Sequence, residues 1–278
     1  MRARVLVSAA LLAILVWRVG TGPFLDGVRT VDGQALAAAM VLAMLTTVCC
    51  AWRWKIVAGG LGVELSLPVA IAAYYRSLFL NLTIPGGIVG DVHRGISHGR
   101  DVSDVGRGLR AVAWERGAGQ VVQAVLTVAA LLALPSPVRS SMPLVALGVV
   151  VAAVVIVLVA RRRLPLAGRA WLGVALTSAV IVCGHAATFL IAARTAGATA
   201  PFSTMLPLAL LVMLAMVLPS AAGWGPREGA AAWVFGAAGL GVSLGVATAV
   251  AYGVMVFVAS LPGAAVLVVS SSRRIRHA

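Results

Sequence analysis

Acidic residues are scarce in this chain. Only 8 Asp and Glu stand against 22 Lys and Arg in 278 residues, and all but one of the basic residues are arginine. Charged residues make up 11% of the total, against roughly 25% in soluble domains. With a mean hydropathy of +1.03, this excludes an ordinary soluble domain. No polar block is long enough to form one beside the apolar runs. No GxxxxGK[ST] loop occurs, so self-contained ATP-driven work is not expected. No G-x-S-x-G, H-E-x-x-H or paired-carboxylate pattern is visible, so neither enzyme activity nor a cofactor is expected. His93, His98 and His185 lack metal-ligand spacing with Cys or carboxylates, and no metal site is expected. The three cysteines, Cys49, Cys50 and Cys183, lie inside apolar runs. That placement argues against a disulfide framework or a zinc site.

What the chain does have is apolar runs of membrane length. A crossing helix needs about 20 such residues. Residues 5–19, 35–51, 111–134, 144–160, 171–193 and 242–269 qualify, the first only with help from its flanks. Arg18-Val-Gly-Thr-Gly-Pro23 follows the first run without a small-residue cleavage pattern, so it reads as an uncleaved span. Two stretches fit less well. Residues 67–82 carry Arg76 and run into Pro85-Gly-Gly87. Residues 204–240 are broken at Pro219 and again between Gly223 and Gly229.

Arginine placement decides how to treat these two. If 67–90 enters and leaves on one side, the loops bearing Arg53 and Lys55, Arg94 to Arg110, Arg161 to Arg169, and both termini share one face. A full crossing would move the arginine-rich loops at 94–110 and 161–169 outside, against the positive-inside bias. The same parity makes 204–240 re-enter from the opposite face. The expected fold is all-α: a polytopic helix bundle in the plasma membrane, with about six full spans, two re-entrant helical hairpins and both termini cytoplasmic. The whole of 1–278 forms one transmembrane domain. The net charge of +14 then reads as orientation and attraction to anionic lipid, and nucleic acid is not an expected partner.

The two breaks look alike. Pro85 to Gly95 and Pro219 to Gly229 have equal length, start on proline, end on glycine, and carry one acid and one arginine each. Broken helices entering from opposite faces fit an inverted repeat, with halves about 34–134 and 171–270. Plain helix packing through Gly86-xxx-Gly90 and Gly225-xxx-Gly229 is the competing explanation. It does not account for Asn81 before the first break, or for Asp91 and Arg94 after it.

Further polar residues follow. Glu115 and Arg116 open the next helix, and Arg116, Gln120 and Gln123 fall on one helical stripe. Glu115 shares a face with Gly119, where the missing side chain leaves room. Ionisable groups at this depth are expensive and mark a path or a site, or else a structural ion pair of Glu115 with Arg94 or Arg110. Arg227-Glu228 follows Trp224-Gly-Pro226. Its arginine fork suits a phosphate, and an Arg227–Glu228 pair closing the hairpin is the alternative. Trp52-Arg-Trp-Lys55 reads as an interfacial anchor, as do Tyr74, Tyr75 and Arg76.

Asn81-Leu-Thr-Ile-Pro-Gly-Gly-Ile-Val-Gly-Asp-Val-His-Arg94, Trp114-Glu-Arg116 and the late Arg227-Glu-Gly229 together resemble the transmembrane region of lysylphosphatidylglycerol synthases and related flippase-like membrane proteins. The lead into the late motif departs from the family's glycine-rich form, reading Ala-Ala-Gly-Trp-Gly-Pro226. The aminoacyl-transferring domain of full synthases has no counterpart here, so lysine transfer is not implied. The resemblance implies translocation of a polar-headed lipid, such as a modified phospholipid or a polyprenyl-phosphate-linked sugar. The residues it points to are Asn81, Pro85, Gly86, Gly87, Gly90, Asp91, Arg94, Glu115, Arg116, Gly225, Arg227, Glu228 and Gly229, and the polar stripe adds Gln120 as a candidate lipid-contacting residue. Expected partners are anionic or polyprenyl-phosphate membrane lipids. A non-transporting subunit that presents lipid to a separately encoded glycosyltransferase or lipid synthase is the alternative. Replacing Glu115 or Arg227 by alanine is expected to abolish lipid movement and keep the fold.

Overall fold

A computed structural model describes residues 2–134, 143–164, 166–218, 220 and 222–275. Pro219, Arg139 and Arg276 therefore lie outside the described residues. The described chain is helical: α1 (Arg2–Val19), α2 (Gly22–Arg29), α3 (Gly33–Gly60), α4 (Leu67–Thr83), α5 (Val89–Asp101), α6 (Val105–Ala133), α7 (Pro143–Arg163), α8 (Gly168–Thr195), α9 (Phe202–Ala215), α10 (Pro226–Ala237), α11 (Val242–Ser260) and α12 (Pro262–Ile275).

Four stretches among the described residues are long and apolar enough to cross a bilayer: α3, α6, α8 and Val242–Val269, which runs from α11 into α12. The run 5–19 falls on α1, but the chain then turns by 100° into α2, and the two together form at most one broken span. The run 144–160 falls on α7, which packs chiefly on α6. Leu147, Val151, Val154, Val155 and Leu158 on α7 remain exposed.

Local chemistry explains the ends. Asp32 caps α3 by accepting from the Ala35 N–H at 2.7 Å, and Asp104 caps α6 by accepting from the Arg107 N–H at 2.8 Å, each satisfying one of the orphan donors at a helix start. At Pro85, α4 stops. A residue before proline is pushed to extended backbone, and Ile84 sits at φ −100°, ψ 131°. Gly86 and Gly87 follow at φ 129° and 67°, values that glycine tolerates and other residues resist. After α9, Ala222, Gly223 and Gly225 take φ 51°, 81° and 108°. Ala222 thus holds a left-handed conformation without glycine's freedom.

Each break folds its flanking helices back on each other, α4 on α5 and α9 on α10. The breaks also touch. A Cβ on Gly87 would press on Ser220, and one on Gly223 would press on Leu82. α3 lies along α8, α6 packs against α8 and α9, and α11 against α3 and α8. The main apolar core sits around Phe189, Phe235, Met205, Leu208 and Met255.

Candidate functional site

Charge gathers where α3, α4, α5 and α6 meet. Glu115 is fully buried and shared by two arginines. Arg53 donates to its Oε1 through Nε at 2.9 Å and also through Nη2. Arg94 donates to Oε2 through Nη2 at 2.6 Å. The Tyr74 hydroxyl donates to Oε1 at 3.1 Å. Arg53 reaches on to Ser178 Oγ on α8 at 3.0 Å. Its guanidinium occupies the space beside Gly119 that a side chain there would fill. The room expected along that face of α6 is real, and another arginine uses it.

Asp91 forms the second node, in the first turn of α5, where a helix start favours negative charge. It accepts from Ser77 Oγ at 3.1 Å, Asn81 Nδ2 at 3.1 Å, Arg94 Nε at 3.1 Å and Arg116 Nη2 at 2.7 Å. Asn81 also accepts from the Gly90 N–H at 2.8 Å. One amide thereby ties the end of α4 to the start of α5. Gly90 is glycine because α5 runs against the backbone of Ser77 there. Arg94 is wedged between the rings of Trp54 and Tyr74, at 4.6 and 4.2 Å from their centroids, a cation–π sandwich.

The cluster holds three arginines, Arg53, Arg94 and Arg116, against two carboxylates, Asp91 and Glu115. The surplus charge is placed unevenly. Arg53 and Arg94 are buried, whereas the Arg116 side chain is 40% exposed. It faces a cavity of about 200 Å³, shared with Gln120, Gln123, His185 and Tyr252 and walled in part by Arg53. Arg116 Nε and Gln120 Oε1 are buried and lack partners within the protein. Gln123 is held by Thr127 and the Leu210 carbonyl. The polar stripe read along α6 therefore lines one chamber.

The second break is built differently. Arg227 donates to Glu228 Oε1 at 2.9 Å through Nε and 2.5 Å through Nη2. Glu228 Oε2 accepts from the Gly225 N–H at 2.7 Å, closing the start of α10. Arg227 lies between the Trp224 and Tyr252 rings, 5.3 and 5.5 Å from their centroids. Its guanidinium fills the space beside Gly253. The pair is buried and neutral, so the hairpin-closing pair is the arrangement found. Gly229 faces open space, and Gly86 would meet only the side chain of Val89. Of Gly86, Gly90 and Gly229, Gly90 alone meets a neighbouring helix closely.

Several contributors were not read from sequence as part of the site. Arg53 and Trp54 are buried, while Trp52 and Lys55 are exposed, so Arg53 and Trp54 are not the interfacial anchor expected of them. α3 continues through this stretch to Gly60, and Arg53 belongs to its interior and not to a loop. The buried residues Thr46, Cys50, Arg53 and Val57 recur at helical spacing, and that periodicity was the available signal. Tyr74 is likewise buried and not interfacial. Ser77, Ser178, His185 and Tyr252 carried no motif. Tyr252 bonds His185 Nδ1 at 3.1 Å and stands between Arg227 and the chamber.

Residues 1–168 match the model of the family described as the lysylphosphatidylglycerol synthase TM region. The match contains the first break and all five charged members of the first cluster, and it ends before the second break. No curated protein matches the chain.

Proposed function

The chain belongs to the lysylphosphatidylglycerol synthase transmembrane-region family, and from that premise we propose that it moves a lipid with an anionic polar head group between leaflets of the plasma membrane. The observation that carries this reading is the surplus cation. Arg116 is partly exposed to a chamber that carries several polar side chains and that buried Arg53 also borders, while Arg94, Asp91 and Glu115 are buried away from it. Arg116 lies five residues into the apolar run 111–134, about 7–8 Å along the helix axis, inside the edge of a hydrocarbon core about 30 Å thick. A phosphate there would gain a charge-assisted fork, and the free acceptor of Gln120 suits a hydroxyl or ammonium on the same head group. Acyl chains would stay in the bilayer. The work is transport and not chemistry, and it uses no cofactor.

In this reading α4–α5 and α9–α10 are re-entrant hairpins from opposite faces, and the full crossings number six with both termini cytoplasmic. Residues 34–134 and 171–270 then form an inverted repeat, each running long helix, broken pair, long helix. Asn81, Pro85, Gly86, Gly87 and Gly90 shape the first hairpin. Asp91, Arg94 and Glu115 hold Arg116 in place. Gly225, Arg227, Glu228 and Gly229 shape the second hairpin.

The test is leaflet exchange of a fluorescent phosphatidylglycerol in proteoliposomes. Arg116→Gln is expected to slow exchange at least tenfold, in keeping with about 1.5–3 kcal/mol for a bond to a charged group. Undiminished exchange by a folded Arg116→Gln protein would falsify the assignment. No exchange by the wild type, with a glycosyltransferase or lipid synthase copurifying, would favour the lipid-presenting subunit.

A further inference from the structure

A second basic feature lies away from the central chamber. Arg107 and Arg110 on the first turns of α6 and Arg163 at the end of α7 converge on an open groove floored by Ala113, Trp114 and Leu61. Arg107 is paired with Asp104 at 3.2 Å. No carboxylate among the described residues pairs with Arg110 or Arg163, and both are exposed. The groove therefore carries uncompensated positive charge. Trp114 also walls an adjoining crevice of about 170 Å³ between α6, α7 and α8. That crevice is lined mostly by apolar side chains, among them Val57, Ala118, Ile156 and Trp171, with Arg161 also in its wall. A charged shelf and a narrow apolar slot sharing one tryptophan wall is the outline of a phospholipid lying against a protein. Arginine suits its phosphate. Packing along the slot, and not transfer out of water, would hold the chain, because the surrounding bilayer is equally apolar.

We infer that this shelf and slot form a bound-lipid site for an anionic phospholipid, separate from the path through the chamber, with the phosphate on Arg110 and Arg163 and one acyl chain beside Trp114 and Ala118. The site does not depend on transport. None of its residues belongs to the Arg53, Arg94, Arg116 cluster, and α7, which supplies one wall, contributes nothing to the chamber. The charge makes retention sensitive to salt, since exposed charges are screened within about 8–10 Å at physiological ionic strength.

The experiment is native mass spectrometry of the full chain released from nanodiscs of mixed phosphatidylglycerol and phosphatidylcholine. The wild type is expected to keep one phosphatidylglycerol that the R110Q/R163Q double variant loses, at least tenfold in occupancy, while Arg116→Gln keeps it. A118W, which fills the slot, is expected to lower occupancy at least threefold, and added glycerol 3-phosphate is expected not to displace the lipid. Equal retention by wild type and R110Q/R163Q would overturn the site, as would equal retention of phosphatidylcholine. Full occupancy in A118W, or displacement by glycerol 3-phosphate, would overturn the acyl slot. Loss of the lipid in Arg116→Gln alone would place it in the chamber. Leaflet exchange measured on the same variants separates this site from the transport reading. R110Q/R163Q is expected to exchange lipid at the wild-type rate.

Discussion

The two charged breaks are built from the same parts and end in different states. Each places a carboxylate in the first turn of the helix after the break, Asp91 on α5 and Glu228 on α10. Each has an arginine lodged beside a glycine of the following long helix, Arg53 beside Gly119 and Arg227 beside Gly253. Each has an arginine between two aromatic rings, Arg94 between Trp54 and Tyr74, and Arg227 between Trp224 and Tyr252. The difference is stoichiometry. The second is one cation on one anion, buried and complete. The first is three cations on two anions, with the odd one turned to a chamber. A balanced buried pair has little left to offer a ligand, whereas an unbalanced cluster at the edge of a cavity does. The same local design thus closes on itself as a clasp at one break and leaves a cation facing a cavity at the other.

The sharpest way to break this contrast is Glu115→Ala. It leaves Arg53 and Arg94 buried without their shared anion, and breaking a buried pair costs about 3–5 kcal/mol. The variant is expected to lose most of its folded yield and thermal stability in detergent. This reverses the sequence-based expectation of an inactive but folded Glu115→Ala protein, and a wild-type melting profile would show that the cluster is not held by its carboxylates. Next is Glu228→Ala, which strands one buried arginine and uncaps the Gly225 N–H, at about 3 kcal/mol. Surviving folded protein is expected to exchange lipid normally. Normal stability with lost exchange would make the second break a ligand site and erase the distinction. Gly90→Val drives a side chain into the Ser77 backbone and is expected to cost at least 1–3 kcal/mol as an overpacked contact, read as a lowered midpoint of thermal unfolding. Arg116→Gln is expected to change stability by less than about 1 kcal/mol, because the charge removed is the surplus one, while exchange collapses. Lys55→Ala, exposed beside buried Arg53, is expected to stay within about 0.5 kcal/mol. Arg53→Ala is expected to destabilise as a cluster member does. Equal behaviour of the two would restore both to the interfacial anchor.

How much of this was legible beforehand varies by element. Pro85-Gly-Gly87 had to interrupt a helix wherever it sat, because proline dictates Ile84's backbone and the glycines accept positive φ. Asn81, Asp91 and Arg94 were legible as a group because a single turn brings them together. Arg116, Gln120 and Gln123 were legible because helical spacing alone puts them on one face. Arg53 was not. It sits between two tryptophans and near a lysine, a composition that reads as an interface, and its partner is 62 residues away. The bend after Val19 was also obscured, since an apolar run followed by glycine looks the same whether the chain leaves the bilayer or turns within it.

Hydropathy, arginine distribution and the Gly/Pro breaks determined from sequence alone that this chain is an all-helical membrane protein with two interrupted segments and charges set among apolar runs. Those features are local, and backbone preference and the cost of exposing polar groups to hydrocarbon act on them residue by residue. Which charges neutralise one another was decided only by the tertiary structure. An ion pair forms between whatever side chains the packing of helices brings within reach. That packing left Arg227 answered by its neighbour and Arg116 facing an open chamber.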